Sequence, residues 1–186
     1  MKYSERDTNK MTWDEVSNLV DILISKTSKK NINVIAPMLR TGGIVGGIFS
    51  IKTGIVPMLP VQFKYSYNPT AINQIISVPD IIQNVPETMN VLLCEGNTSS
   101  GSIAMKASKA IREKYPGAKI YLATLTKVYG CPEKLDGIEE IFFGVMTDEN
   151  FKATESEKKS LKLRKGITIF PWENVEAELS DVNNVL

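Results

Sequence analysis

The chain has no histidine among its 186 residues, so a general base or metal ligand at neutral pH has to be a carboxylate, a shifted lysine or the substrate itself. Many hydrolase mechanisms are excluded by that absence alone. Cysteine is nearly as scarce: Cys94 lies in an apolar run and Cys131 in a polar loop, unlike contexts that argue against a disulfide framework or a metal cluster. A reducing cytoplasm is the expected compartment. No apolar stretch approaches the length needed to span a bilayer, and the polar start MKYSERDTNK lacks the apolar core of a secretory leader, so a soluble protein is expected. Charge of one sign is also lacking, with 22 basic against 21 acidic residues and a formal net charge of +1. Neither nucleic acid nor a membrane surface is an expected partner, and any anion site must be local. There is no internal repeat. The lysine-rich stretch from Lys152 to Lys165 reads as a solvated face.

What is present is the alternation of an α/β protein of one domain with a sizeable core. Residues 12–27 form the first expected helix, with Thr12 and Glu15 as a capping box and Trp13, Val16, Leu19, Val20, Leu23 and Ile24 at helical spacing. A strand from Ile32 to Met38 is followed by a break at Arg40-Thr41-Gly42-Gly43, a helix from Ile44 to Lys52, Gly54, and a strand from Val56 to Phe63. Strand, glycine turn, helix and strand in that order predict a parallel sheet. From Lys64 to Thr88 the pattern dissolves into a polar segment holding Pro69, Pro79 and Pro86, a long loop of the functional or mobile kind. The strand Val91–Cys94, a turn from Glu95 to Ser102, a helix from Ile103 to Lys114 ended by Tyr115-Pro116-Gly117, and a strand from Lys119 to Leu125 make a second such unit. A strand from Ile138 to Val145, a charged excursion over 148–165, a strand from Ile167 to Trp172 and an acidic tail complete the reading.

The stretch from Val91 to Ile103 carries the most chemistry. Four apolar residues deliver Glu95 and a run of small hydroxyl residues to the start of a helix, where unpaired amides face outward. Gly101 allows an anion to approach closely, and Ser99, Ser100 and Ser102 add neutral donors, so the turn can cradle a phosphate. The same residues also make an ordinary serine-rich helix cap, and the pattern alone does not separate the two. Gly42 and Gly43 permit unusual backbone angles with amides facing an anion, and Arg40 can donate as a bidentate fork.

This segment resembles the phosphoribosyl pyrophosphate loop of the type I phosphoribosyltransferases, in which an apolar strand leads to two acids, two variable residues, an acid, threonine, glycine, any residue and threonine. Thr12-Trp13-Asp14, Arg40-Thr41-Gly42-Gly43, Ser66-Tyr67, Lys127 and Pro171-Trp172 occur in the order and approximate spacing of the bacterial xanthine-guanine enzymes, from about residue 12 to 173. The resemblance implies an α/β fold with a mostly parallel central sheet flanked by helices, plus a small hood from the N- and C-terminal parts. It implies one domain over residues 1–186, with a core at about 12–147 and a C-terminal hood at about 148–186. It also implies transfer of a phosphoribosyl group to a nucleobase with magnesium as cofactor, in a homo-oligomeric dimer or tetramer.

Residue roles follow from the same likeness. Arg40, Thr41, Gly42 and Gly43 would hold pyrophosphate, and Thr98, Ser99, Ser100, Gly101 and Ser102 the 5-phosphate. Ser66 and Tyr67 would belong to a mobile loop that closes over the reaction and excludes water. Lys127 would bind the exocyclic oxygen of a 6-oxopurine. Ile167 stands where the family usually stacks an aromatic on the base, a role that Phe170 or Tyr129 could take. Glu95 would meet the ribose hydroxyls and the metal, and Glu95, Ser99 and Arg40 form the expected catalytic set. The chain departs from the family pattern where the second acid is Gly96, the third is Ser99 and the last threonine is Ile103. Serine cannot act as a base near neutral pH. Three readings follow: an active transferase, a binding or regulatory protein without turnover, and a transferase using an unusual acceptor.

Overall fold

The computed structural model describes residues 2–67 and 69–185, the side chains of Tyr67 and Val185 excepted. A short strand β1 (Thr8–Lys10) precedes helix α1 (Trp13–Thr27). The helix starts where the sequence places it: Thr12 Oγ1 accepts the Glu15 amide at 3.2 Å, and Glu15 accepts the Thr12 amide at 2.8 Å. Two orphan donors are thereby satisfied at once. Val16, Leu19, Val20 and Leu23 are buried along one face, and Asn31 in the left-handed region turns the chain into the next strand.

Strand β2 (Val34–Leu39) and helix α2 (Thr41–Thr53) follow, then a hairpin of β3 (Val61–Tyr67) and β4 (Thr70–Ile76). The later elements are β5 (Asn90–Thr98), α3 (Ser102–Lys114), β6 (Lys119–Val128), β7 (Glu140–Asp148), α4 (Glu155–Leu161), β8 (Arg164–Lys165), β9 (Ile167–Ile169) and α5 (Val175–Val185). The main sheet has seven strands in the order β4-β3-β2-β5-β6-β7-β8. Every neighbouring pair in it is parallel except β3 with β4. A second sheet joins β1 to β9 in parallel, so the two ends of the chain meet beside the main sheet.

Alternation along the strands splits the core between two faces. Val34, Ala36, Met38, Val91, Leu93, Ile120 and Leu122 face Ala104, Ala107 and Ile111 of α3. Ile35, Leu92, Cys94, Ala123 and Leu125 face α1 and α2, where Val20, Leu23 and Phe49 are fully or almost fully buried. Because β3 and β5 flank β2 on opposite sides, the chain reverses direction across the sheet at β2 and β5. The crevice beyond the carboxyl ends of those strands is where open α/β sheets bind ligands.

Four expectations need correction. The segment from Lys64 to Ile76 is a hairpin arm, with Phe63 opposite Gln74 and Tyr65 opposite Ile72, because cross-strand pairing satisfies a backbone that a polar loop would leave to water. The strand expected at Val56–Phe63 starts only at Val61; Pro57 and Pro60 interrupt the ladder, and residues around Met58 reach β2 through a single bridge. Strands β5 and β6 run on to Thr98 and Val128, since Thr98 pairs with Lys127, which confines the turn before α3 to residues 99–101. The acidic tail is helix α5.

Candidate functional site

Helix α2 begins at Thr41 directly after β2, so Gly42 and Gly43 lie in its first turn with helical backbone and neither has a positive φ. The angular freedom that glycine permits is not used at either position. Close approach explains Gly42 instead: a Cβ there would stand 2.1 Å from the Cys94 carbonyl oxygen, so only glycine lets α2 pack against β5. Arg40 caps the helix start and is exposed. Gly101 does need its freedom, since it holds φ 72° at the N-cap of α3, and an added Cβ would meet Leu135 Cδ1 at 2.4 Å. Lacking a side chain, it leaves the first-turn amides of α3 open to an anion. Ser100 and Ser102 join hydroxyl to hydroxyl at 2.9 Å beside them, and Ser99 is exposed at the tip.

Glu95 is half-buried near the end of β5, and Thr98 Oγ1 donates to its Oε2 at 2.5 Å. Burial pushes the carboxyl up to about 7, against the pull of that hydrogen bond. Thr98 therefore spends its hydroxyl proton on Glu95 rather than on a phosphate. The neighbouring Gly96 is roofed: a Cβ there would lie 2.2 Å from Thr41 Cγ2 and 3.1 Å from Phe170 Cε2. The Phe170 ring stacks on Trp172 with centroids 4.9 Å apart and planes 6° from parallel. At Gly96, where the resemblance would place a second acid, the space holds the Thr41 methyl group and the Phe170 ring.

A carboxylate from elsewhere reaches the same space. Glu173, just after Trp172, accepts the Phe170 amide at 2.9 Å and lies 3.4 Å from the Thr41 hydroxyl. Burial raises it to about 7. Glu95 and Glu173 both line a cavity of about 170 Å³ with Arg40, Gly42, Asn97 and Ile103. Through Glu95, Asn97 and Ile103 it adjoins a pocket of about 130 Å³ walled by Tyr65 and the loop Thr98–Ser102. Arg40, Thr41 and Glu173 also wall a neighbouring space of about 620 Å³ beneath the hairpin, bounded further by Lys64, Glu178 and Asp181. Sequence reasoning missed Glu173; the signal for it was an acid directly after Pro171-Trp172, in a segment already expected to cover the site.

Not every expected residue joins this group. Lys127 is buried in β6 at 6% exposure, with Nζ 5.6 Å from the Phe143 ring centroid, and it lines none of the cavities above. Ile167 is buried in β9, paired with Thr8, and is likewise absent from those walls. Ser66 donates to the Pro69 carbonyl within the hairpin tip; the Tyr67 side chain lies outside the described residues, and Tyr65 is the hairpin aromatic that faces the loop. Phe170 does reach the cavity. Glu149 ties β5 to β9: it accepts from Asn97 Nδ2 at 3.0 Å, from Thr168 Oγ1 at 2.6 Å and from the Thr168 amide at 3.2 Å.

Among the described residues no group of three or more acidic or sulfur ligands gathers, so a metal held here would take much of its shell from substrate. The half-buried oxygens of Glu95 and Glu173 suit a hard cation such as magnesium, which keeps most of its ligands as water and phosphate. No helix is long and apolar enough to cross a membrane.

No protein-family model and no curated protein sequence matches the chain. Solved structures do. A purine phosphoribosyltransferase from Pyrococcus horikoshii Ot3 superposes with a TM-score of 0.66 at 20% identity, over 90% of this chain and 95% of that one. A Neisseria gonorrhoeae protein with bound ppGpp gives 0.62 at 16% identity, covering 98% and 99%. The Helicobacter pylori xanthine-guanine-hypoxanthine phosphoribosyltransferase gives 0.58 at 13% identity, covering 94% and 99%. With its parallel sheet, its crevice at β2 and β5 and these matches, the chain has the fold of the type I purine phosphoribosyltransferases.

Proposed function

We propose that the chain is a magnesium-dependent phosphoribosyltransferase that moves the 5-phosphoribosyl group of phosphoribosyl pyrophosphate to a nucleobase of the 6-oxopurine class. The observation that carries this reading is that Glu95 and Glu173 line one cavity, which Arg40 borders and which shares Glu95, Asn97 and Ile103 with the pocket at the Ser99–Ser102 loop. The loop and the amides of α3 take the 5-phosphate, Glu95 takes the ribose hydroxyls, and Arg40 with the start of α2 takes the pyrophosphate. Glu173 supplies the carboxylate that Gly96 does not. Magnesium, when bound, neutralises charge on the departing pyrophosphate. Phe170, in the cavity wall, serves the base, while Lys127 lies behind those walls. The reaction is largely dissociative, so positioning and electrostatics contribute more than a base at position 99 would.

The test is release of pyrophosphate from phosphoribosyl pyrophosphate and magnesium with guanine, hypoxanthine, xanthine, adenine, uracil, orotate and nicotinate in turn. Release that requires both metal and base is expected, fastest with a 6-oxopurine. No release with any of them overturns the reading. Efficient use of guanine or hypoxanthine also removes the unusual-acceptor alternative.

One observation favours a second reading, a nucleotide-binding regulator without turnover. Thr41 and Phe170 close the space over Gly96, and a protein of the same fold from Neisseria gonorrhoeae was solved with ppGpp bound. Calorimetric binding of a guanosine nucleotide, with no pyrophosphate release across the panel, selects this reading over the first.

A further inference from the structure

A further cavity lies outside the site just described. It measures about 840 Å³ and runs between helix α3 and the β3–β4 hairpin, walled by Tyr65, Ile72, Lys106, Lys109, Arg112 and Asp136. Tyr65 and Ser102 belong to its lining and also to that of the phosphate-loop pocket, so the two spaces are neighbours. Lys106, Lys109 and Arg112 follow Ser102 by four, seven and ten residues, which sets them along one side of α3, leading away from the loop. On the helical rise they stand roughly 6, 10 and 15 Å from Ser102 along the axis.

These cations are unspent. Among the described residues Lys106 and Arg112 make no hydrogen bond or ion pair, and Lys109 has only a 3.8 Å contact with Glu113 in which both side chains are mostly exposed. The Arg112 guanidinium is seated over Gly137, where an added Cβ would lie 2.3 Å from Nη2, so the far end of the row is held by packing. Asp136 is the one carboxylate in the lining. The chain as a whole carries a net charge of only +1, so this row is a local concentration of charge. Phosphoribosyl pyrophosphate puts a single phosphate on the loop and directs its pyrophosphate toward Arg40, which leaves the α3 row without a role in the proposed transfer.

We infer that the groove along α3 binds the outer phosphates of a nucleoside 5′-di- or triphosphate whose first phosphate sits on the Ser99–Ser102 loop. This rests on the loop being a phosphate site, as in the reading above. A phosphate there would direct its next neighbours past Ser102 to Lys106, one helical turn on, with Lys109 in side-chain reach and Arg112 adding its charge to the field of the groove. Free polyphosphate shares the outer chemistry but lacks the nucleoside that the cavity at Glu95 receives.

Calorimetry at low ionic strength with GMP, GTP and inorganic tripolyphosphate, on the full chain and on Lys106→Gln/Arg112→Gln, tests this. Both substituted side chains are exposed, and circular dichroism checks that the fold is kept. GTP is expected to bind at least about tenfold more tightly than GMP, with tripolyphosphate weaker than GTP. In the double variant the GTP advantage falls to about twofold or less while GMP binding stays within about twofold. Equal binding of GMP and GTP by the unaltered chain, or a GTP advantage that survives in the variant, overturns the inference and leaves the loop reading intact. Tripolyphosphate binding as tightly as GTP overturns the nucleotide assignment. Failure of GMP and GTP alike removes the loop reading and the inference with it.

Discussion

Thr98 Oγ1 stands 2.5 Å from Glu95 Oε2, so the carboxyl near the end of β5 is held by the last residue of its own strand. The hydrogen bond stabilises the carboxylate while burial favours the neutral acid, and burial prevails, placing the group at about 7.

If the carboxylate form binds ribose and metal, pyrophosphate release rises with pH through about 7. Thr98→Val removes the interaction that lowers the Glu95 pKa, so the acidic limb of the rate profile moves to higher pH. A limb that stays in place would detach Glu95 from the pH dependence. Stability runs the other way. A carboxyl raised in the folded state binds its proton more tightly there than in the unfolded chain, so Glu95 weakens the fold as pH climbs from about 4.5 through about 7. Urea midpoints of Glu95→Gln should vary less over that window than those of the unaltered chain.

Gly96→Ala is expected to destabilise the chain by about 1–3 kcal/mol, the usual range for overpacking. Its methyl would press on Thr41 Cγ2 and on the Phe170 ring. Thr41→Ser removes the Cγ2 atom and should recover most of the loss in the double variant. Urea unfolding of the two single variants and the pair measures the coupling.

Glu173→Gln keeps an acceptor for the Phe170 amide and removes only charge from the cavity. Pyrophosphate release should fall by about 10²-fold, the scale of one preorganised electrostatic group, and half-maximal activity should need more magnesium. A magnesium curve that overlays that of the unaltered chain would confine Glu173 to supporting the Phe170 backbone.

Glu149→Ala strips the acceptor from Asn97 Nδ2 and from both donors of Thr168. A loss of about 1–3 kcal/mol is expected for unmade half-buried hydrogen bonds. Because Glu149 joins β5 to β9, amide exchange at Thr168 and Ile169 should accelerate far more than at Leu92.

Much of the framework was legible in local pattern. The Thr12–Glu15 box starts α1, the apolar run from Val91 opens β5, and Tyr115-Pro116-Gly117 ends α3. Each depends on neighbours within a turn or two, where period and capping chemistry act directly. The hairpin of β3 and β4 was hidden because its exposed arm carries little apolar alternation, and register there comes from pairing.

The candidate site divides along the same line. Composition and spacing pointed to Arg40, Glu95 and the Ser99–Ser102 loop, because strand ends, glycine turns and helix starts leave local signatures. Tertiary structure alone set Glu173 beside Thr41 across 132 residues, closed Phe170 over Gly96, and buried Lys127 and Ile167 away from the cavity walls. Those outcomes depend on strand order and on how the chain's ends pair as β1 and β9, which no stretch of a dozen residues encodes. By itself, then, the sequence determined a mostly parallel sheet with a serine-rich turn that opens a helix; packing between distant segments decided which carboxylates lie near that turn.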